Sequence, residues 1–268
     1  MKKRNVKIII GVVSLLIGLT DFQNSMADNL SAREIMVKNF YASKVADWTT
    51  ESNMTLINDK GQERVRRTVG ITKLAENGID SMRIIRFLSP PDVKGTAILT
   101  IEHFDGDDDV WIYLPALKKV RRLVANNKKD SFVGSDFSYG DIISLKVDDY
   151  HHKLVKEERV SDYDCFVIES TPKDERVKGE SGYSKKITWV AKESFVEIKA
   201  EYFDLDGRLL KVQEISEIKQ VDKDRWIALR RLMTNYQTGH KTLFIFQNLQ
   251  VNKGVSHDIF APREIERQ

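Results

Sequence analysis

The chain has 268 residues, 41% of them hydrophobic, enough apolar material to bury a sizeable core. Its formal net charge of +3 comes from the first 27 residues, which hold four Lys or Arg and one Asp. The remainder is balanced, which removes the cationic footprint of a nucleic-acid-binding domain, and a lone cysteine, Cys165, excludes an intramolecular disulfide framework.

Lys2, Lys3, Arg4 and Lys7 precede an apolar run over residues 8–19, and Ser25-Met26-Ala27 offers small residues to a signal peptidase. The run is shorter than the roughly 20 residues needed to cross a bilayer, so residues 1–27 read as a signal peptide cleaved after Ala27. No cysteine stands at that point to carry a lipid, and no later stretch is apolar enough to span a membrane. Residues 28–268 are then expected to be a soluble, single domain.

Ser31-Ala32-Arg33-Glu34 fits a capping box, which starts a helix running to about Lys44 with Ile35, Met36, Asn39 and Phe40 on one face. Such a helix can pack on a sheet or plug one. From Trp48 the apolar period falls to two. Strands follow through Met54 and Leu56, through Val65, Val69 and Ile71, and through Met82 and Ile84 up to the Pro90-Pro91 break. The next strand carries Ala97, Leu99 and Ile101 on one face. The acidic turn at residues 105–109 lacks the spacing of a calcium loop and reads as a solvated hairpin tip, so no metal is assigned.

Residues 110–114 (V-W-I-Y-L) are apolar at every position, so both faces of that strand must be covered. Pro115 ends it, and a second strand follows with Lys118, Lys119, Arg121 and Arg122. A polar run then leads into Phe132, Phe137 and Tyr139 around Gly134-Ser135-Asp136. Gly134 permits a positive-φ turn, and Ser135 and Asp136 can bond nearby backbone N–H groups.

Further on, His151 and His152 are adjacent and point to opposite faces of a strand. Cys165 reads as a small buried hydrophobe, and residues 171–183, rich in charge with Pro172, Gly179 and Gly182, read as a long mobile loop. Residues 195–203 alternate strictly, and strands near residues 208–219, 225–234 and 241–251 complete a meander. The fold class is mainly β (α+β), with about ten or eleven antiparallel strands, a number at which a twisted sheet curls or closes. The inner face of such a sheet either packs on itself or encloses an apolar hollow.

The segments W-I-Y-L-P-A-L-K-K-V-R-R (111–122) and S-F-V-G-S-D-F-S-Y-G-D (131–141), with N-L-Q-V-N-K-G-V-S-H-D-I-F-A (248–261), resemble the LolA-like family of periplasmic outer-membrane lipoprotein-sorting proteins. The resemblance implies an incomplete, open β-barrel closed or plugged by a few helices. It also implies a periplasmic carrier or chaperone whose apolar concavity shelters lipid or lipoprotein acyl chains, with no covalent chemistry and no cofactor. Leu99, Ile101, Trp111, Tyr113, Phe132, Phe137 and Tyr139 are the expected wall or mouth of that hollow. Lys118, Lys119, Arg121 and Arg122, with Ser135 and Asp136, are expected to meet a lipid head group or a protein partner.

Two other readings belong beside the carrier. Relatives occur alongside inner-membrane transporters of the resistance-nodulation-division type, which makes an accessory docking subunit one alternative. A lipid hydrolase using Ser131 or Ser135 is the other, but Gly134-Ser135-Asp136 is not a G-x-S-x-G elbow and no histidine stands in a triad context. The chain is longer than the better-known lipoprotein carrier, so that protein's cargo does not transfer by name.

Overall fold

The computed structural model describes residues 30–123, 128–143 and 145–266. The expected signal peptide lies outside them. Ser31 accepts from the Glu34 N–H at 3.2 Å while the Glu34 carboxylate accepts from the Ser31 N–H at 2.8 Å, and this reciprocal cap opens helix α1 (Ala32–Ala42). Ile35 and Met36 are buried on its inner side, and Asn39 donates its amide to the Phe195 carbonyl at 2.8 Å. The predicted face is the packed face.

All strands among the described residues join one antiparallel sheet of thirteen. They are β1 (Asp47–Ile57), β2 (Glu63–Leu74), β3 (Ser81–Ser89), β4 (Ala97–Glu102), β5 (Asp109–Leu114), β6 (Lys119–Leu123), β7 (Tyr150–Val160), β8 (Tyr163–Pro172), β9 (Lys185–Ala191), β10 (Glu197–Phe203), β11 (Leu209–Asp222), β12 (Arg225–Asn235) and β13 (Lys241–Val251). The order runs from β6 down to β1, then from β13 down to β7, so the two ends of the chain's sheet meet along β1 and β13. β6 and β7 are its two edges, and they do not pair with each other, so the sheet stays open.

Thirteen strands exceed the expected ten or eleven because some lack alternation. In β9, residues 188–191 (T-W-V-A) are buried on both faces, which erases the period of two that marks a strand in sequence. The expected loop at residues 171–183 is also corrected. Asp174 accepts from the Val177 N–H at 2.8 Å and Gly182 closes the other end at φ 76°, so a short helix, α3 (Glu175–Ser181), forms between caps.

Strand β5 is covered on both faces, as its composition requires. Val110 and Ile112 face an inner core with Met54, Phe87, Phe137, Tyr202 and Phe244. That core draws on β5 near one edge and β10 near the other, so the sheet curls around it. On the outer face Trp111 and Tyr113 pack with Met82, Ile84, Leu99, Phe260 and Ile265 beneath the C-terminal 3₁₀ turns His257–Ile259 and Pro262–Glu266. The acidic turn is a solvated tip at residues 105–107 but not at its end. The Asp108 carboxylate, 3% exposed, meets Lys128 at 2.9 Å and Lys146 at 3.4 Å, while Asp109 pairs with Arg122 and His103.

Cys165 is fully buried in a separate cluster with Val167, Trp189 and Ile198, and burial pushes its thiol up to about 11. It is a core residue, as read.

Candidate functional site

The inner face is filled along one half and hollow along the other. A short turn of helix, α2 (Tyr139–Ile142), is capped reciprocally by Ser138 and Asp141 and ends a segment that lies against the sheet. Within that segment Phe132 stacks near Phe87 and Tyr139, with ring centroids 6.3 and 5.5 Å apart, and Phe137 meets Phe244 at 5.2 Å. These side chains occupy the concavity beneath β1, β3 to β5 and β13. Beside them, between α1, α3, residues 140–143 and 145–150 and strands β9 to β12, remains a partly open cavity of about 260 Å³.

One wall of the cavity is apolar: Met36 and Phe40 of α1, Ile215 of β11, and Trp226 and Ala228 of β12. The other is polar. Lys186 pairs with Glu197 at 2.8 Å, and Gln213 donates to the same carboxylate at 2.6 Å. Lys211 pairs with Asp141 at 2.6 Å, and the Tyr183 hydroxyl donates to that carboxylate at 3.0 Å. Burial pushes the phenols of Tyr183 and Tyr202 well above the usual tyrosine range, so both remain neutral hydrogen-bonding groups.

Two arginines stand apart in this wall. Arg83 of β3 donates to the Ile142 carbonyl at 2.5 Å and to the Thr72 hydroxyl at 3.3 Å, but forms no ion pair among the described residues. The guanidinium of Arg231 on β12 forms neither a hydrogen bond nor an ion pair among them, and its Nε is buried without a partner. Burial first, then the neighbouring Arg83, holds the Arg231 guanidinium below the usual arginine range. Both residues line the main cavity and also a second hollow of about 60 Å³ between the end of α1, β2, β3 and β12, and with Ser43, Trp226 and Ala228 they separate the two.

The residues expected to line the hollow separate by strand parity. Leu99, Ile101, Trp111 and Tyr113 lie on the outer face under the C-terminal turns, whereas Phe132, Phe137 and Tyr139 lie inside and fill space. None of the seven is among the residues around the cavity. Gly134, Ser135 and Asp136 anchor the inner segment. The Thr242 hydroxyl donates to the Asp136 carboxylate at 2.7 Å and accepts from its N–H at 3.0 Å, Lys211 donates to the Asp136 carbonyl at 2.9 Å, and Ser135 donates to the Phe137 carbonyl at 3.3 Å. Lys118, Lys119, Arg121 and Arg122 are exposed at edge strand β6 and the turn before it, with Arg122 over the Trp111 ring at 6.0 Å.

Sequence reading did not single out Arg83 and Arg231. Arg231 had a signal: it stands two residues before Met233 and shares a strand face with that residue of the inner core, whereas Arg83 shares its face with Ile85 on a strand whose pattern points the other way. With Met82 and Ile84 apolar, the opposite face of β3 reads as wet, and only the curl of the sheet makes it an interior.

A family described only as an uncharacterized protein matches residues 80–267. No curated protein matches the chain. Among solved structures, a domain described as an outer membrane lipoprotein-sorting protein from Vibrio parahaemolyticus is 31% identical, with a TM-score of 0.82 over 90% of this chain and 100% of that one. A DUF1329 family protein from Desulfovibrio piger is also 31% identical, with a TM-score of 0.78 over 86% and 95% of the two chains. A LolA superfamily protein from Nitrosomonas europaea shares the fold at 22% identity, with a TM-score of 0.66 over 87% and 98%. Among the described residues no helix is long and apolar enough to cross a membrane.

Proposed function

The chain belongs to the LolA-like family of outer-membrane lipoprotein-sorting proteins, and on that footing we propose that it is an exported periplasmic carrier that shelters acyl chains of lipids or lipoproteins on their way to the outer membrane. The observation that carries this reading is the cavity of about 260 Å³ left between α1 and the inner face of the curled sheet. That volume lies just below the roughly 300–1,000 Å³ of ordinary ligand pockets, so it suits one chain at a time rather than a lipoprotein's full acyl set. Each methylene placed against Met36, Phe40, Ile215 and Trp226 contributes about 0.8 kcal/mol, so a partly sheltered chain is held without covalent chemistry. No catalytic role is assigned, and the Ser131 and Ser135 hydroxyls donate to the Ser135 and Phe137 carbonyls rather than to a histidine.

Extraction and mass spectrometry of protein purified without detergent from its own cell envelope tests the proposal. Acyl-bearing molecules should accompany the protein in stoichiometric amount. Preparations that carry none, and that then fail to take up any long-chain probe, would end it.

A second reading is favoured by one feature. The side chains of Lys118, Lys119 and Arg121 enter no ion pair or hydrogen bond among the described residues and stand on an unpaired sheet edge and the turn before it, a surface suited to an acidic patch on a partner such as an inner-membrane resistance-nodulation-division transporter. Charge reversal at Lys119 and Arg121 separates this role from cargo binding: capture of the transporter should fall while lipid uptake is unchanged.

A further inference from the structure

We propose that Arg83 and Arg231 form an anion subsite on the cavity floor, so that the ligand is an amphiphile held with its oxyanion inward and its chain along α1. The inference rests on the carrier reading and specifies its cargo.

Its basis is an uncompensated charge. A guanidinium drawn partly out of water, as those of Arg83 and Arg231 are, is held there at a cost unless a counter-charge meets it, so cations in such places are usually paired. The lysines around the site obey this rule: Lys186 has Glu197, Lys211 has Asp141, and Lys128 and Lys146 share Asp108. Glu197 is the carboxylate nearest in effect to Arg231, but its two oxygens are taken by Lys186 and Gln213. Arg83 and Arg231 thus raise the positive potential of the same lining, and Arg83 lowers the tendency of Arg231 to hold its charge there. An incoming carboxylate or phosphate supplies the missing partner, and a planar guanidinium offers it two parallel N–H donors. The apolar part of the lining, formed by Met36, Phe40, Ile215 and Trp226, takes the alkyl chain.

The test uses the signal-cleaved chain, dodecanoate, dodecyl phosphate, dodecanol and inorganic phosphate as probes, and the variants Arg231→Met and Arg83→Gln. Dodecanoate and dodecyl phosphate should bind at least tenfold more tightly than dodecanol, and Arg231→Met should abolish the difference while dodecanol still binds. Removing the unpaired charge should leave the empty Arg231→Met protein at least as heat-stable as the parent, and dodecanoate should raise the melting temperature of the parent only. Arg83→Gln should lose part of the preference. If the anions and the alcohol bind equally and Arg231→Met changes nothing, the subsite is overturned and the carrier survives. Inorganic phosphate binding as tightly as dodecyl phosphate overturns the assignment to an amphiphile. If no chain binds at all, both the carrier and the subsite fall.

Discussion

His152 illustrates how a single buried group ties stability to pH. Its Nε2–H donates to the Val147 carbonyl and its Nδ1 accepts from the Ser170 hydroxyl, each at 2.8 Å, which fixes the neutral tautomer. Burial holds the imidazole below its ordinary range. The unfolded chain therefore takes up a proton first as pH falls, so the contribution of neutral His152 is complete above about pH 6.5 and is lost as pH falls through the lower folded value. The melting temperature should drop between about pH 7 and pH 5, and His152→Gln should flatten that part of the profile. An unchanged slope in the variant would assign the drop to other groups. Residue character was legible in the sequence at this scale wherever chemistry is local: Cys165 as core, Gly134 at φ 74° as a turn, Ser31 as a cap. The pairing of Asp108 with Lys128 and Lys146 was not legible, because partners 20 and more positions away are brought together by the fold alone.

Helix α1 forms from a local signal but is held by a distant one. Lys44, just beyond its end, reaches Ser81 of β3 at 2.7 Å and Glu102 of β4 at 3.3 Å, with both charged side chains under one-tenth exposed. Removing one partner strands the other charge, so Glu102→Ala should destabilise the protein by about 3–5 kcal/mol. Lys44→Met with Glu102→Leu should cost much less than the sum of the single changes, since the pair's own desolvation cost disappears with it. Chemical denaturation of the four proteins of that cycle measures the coupling, and additive losses would show that the two charges act independently. The helix covers the cavity, so the same variants should loosen ligand retention. The strands divide along similar lines. β10, with one wet and one dry face, is plain in the sequence, whereas β9 is hidden because burial on both faces removes its period.

For the molecule as a whole, the outer layer matters as much as the cavity. Phe260 and Ile265 of the C-terminal turns cover Met82, Ile84, Leu99 and Trp111, and this second core makes the sheet two-sided near edge β6. Phe260→Ala should cost about 3–5 kcal/mol, read as a shift of the denaturation midpoint, and should expose an apolar patch that promotes association. A loss within the noise would mean that these turns lie on the sheet without stabilising it. The open edges themselves are guarded, β6 by Lys119, Arg121 and Arg122 and β7 by Lys153, Lys156 and Arg159, as exposed edges commonly are. From the sequence alone came the antiparallel β class, the capped first helix, the double cover on residues 110–114 and the family motifs, because each rests on spacing along the chain. Tertiary structure alone decided which face became interior. The curl of the sheet turned Arg83 and Arg231 inward, sent Trp111 and Tyr113 outward, and let residues 131–143 fill part of the hollow, since a strand's parity names two faces without saying which one the sheet will close around.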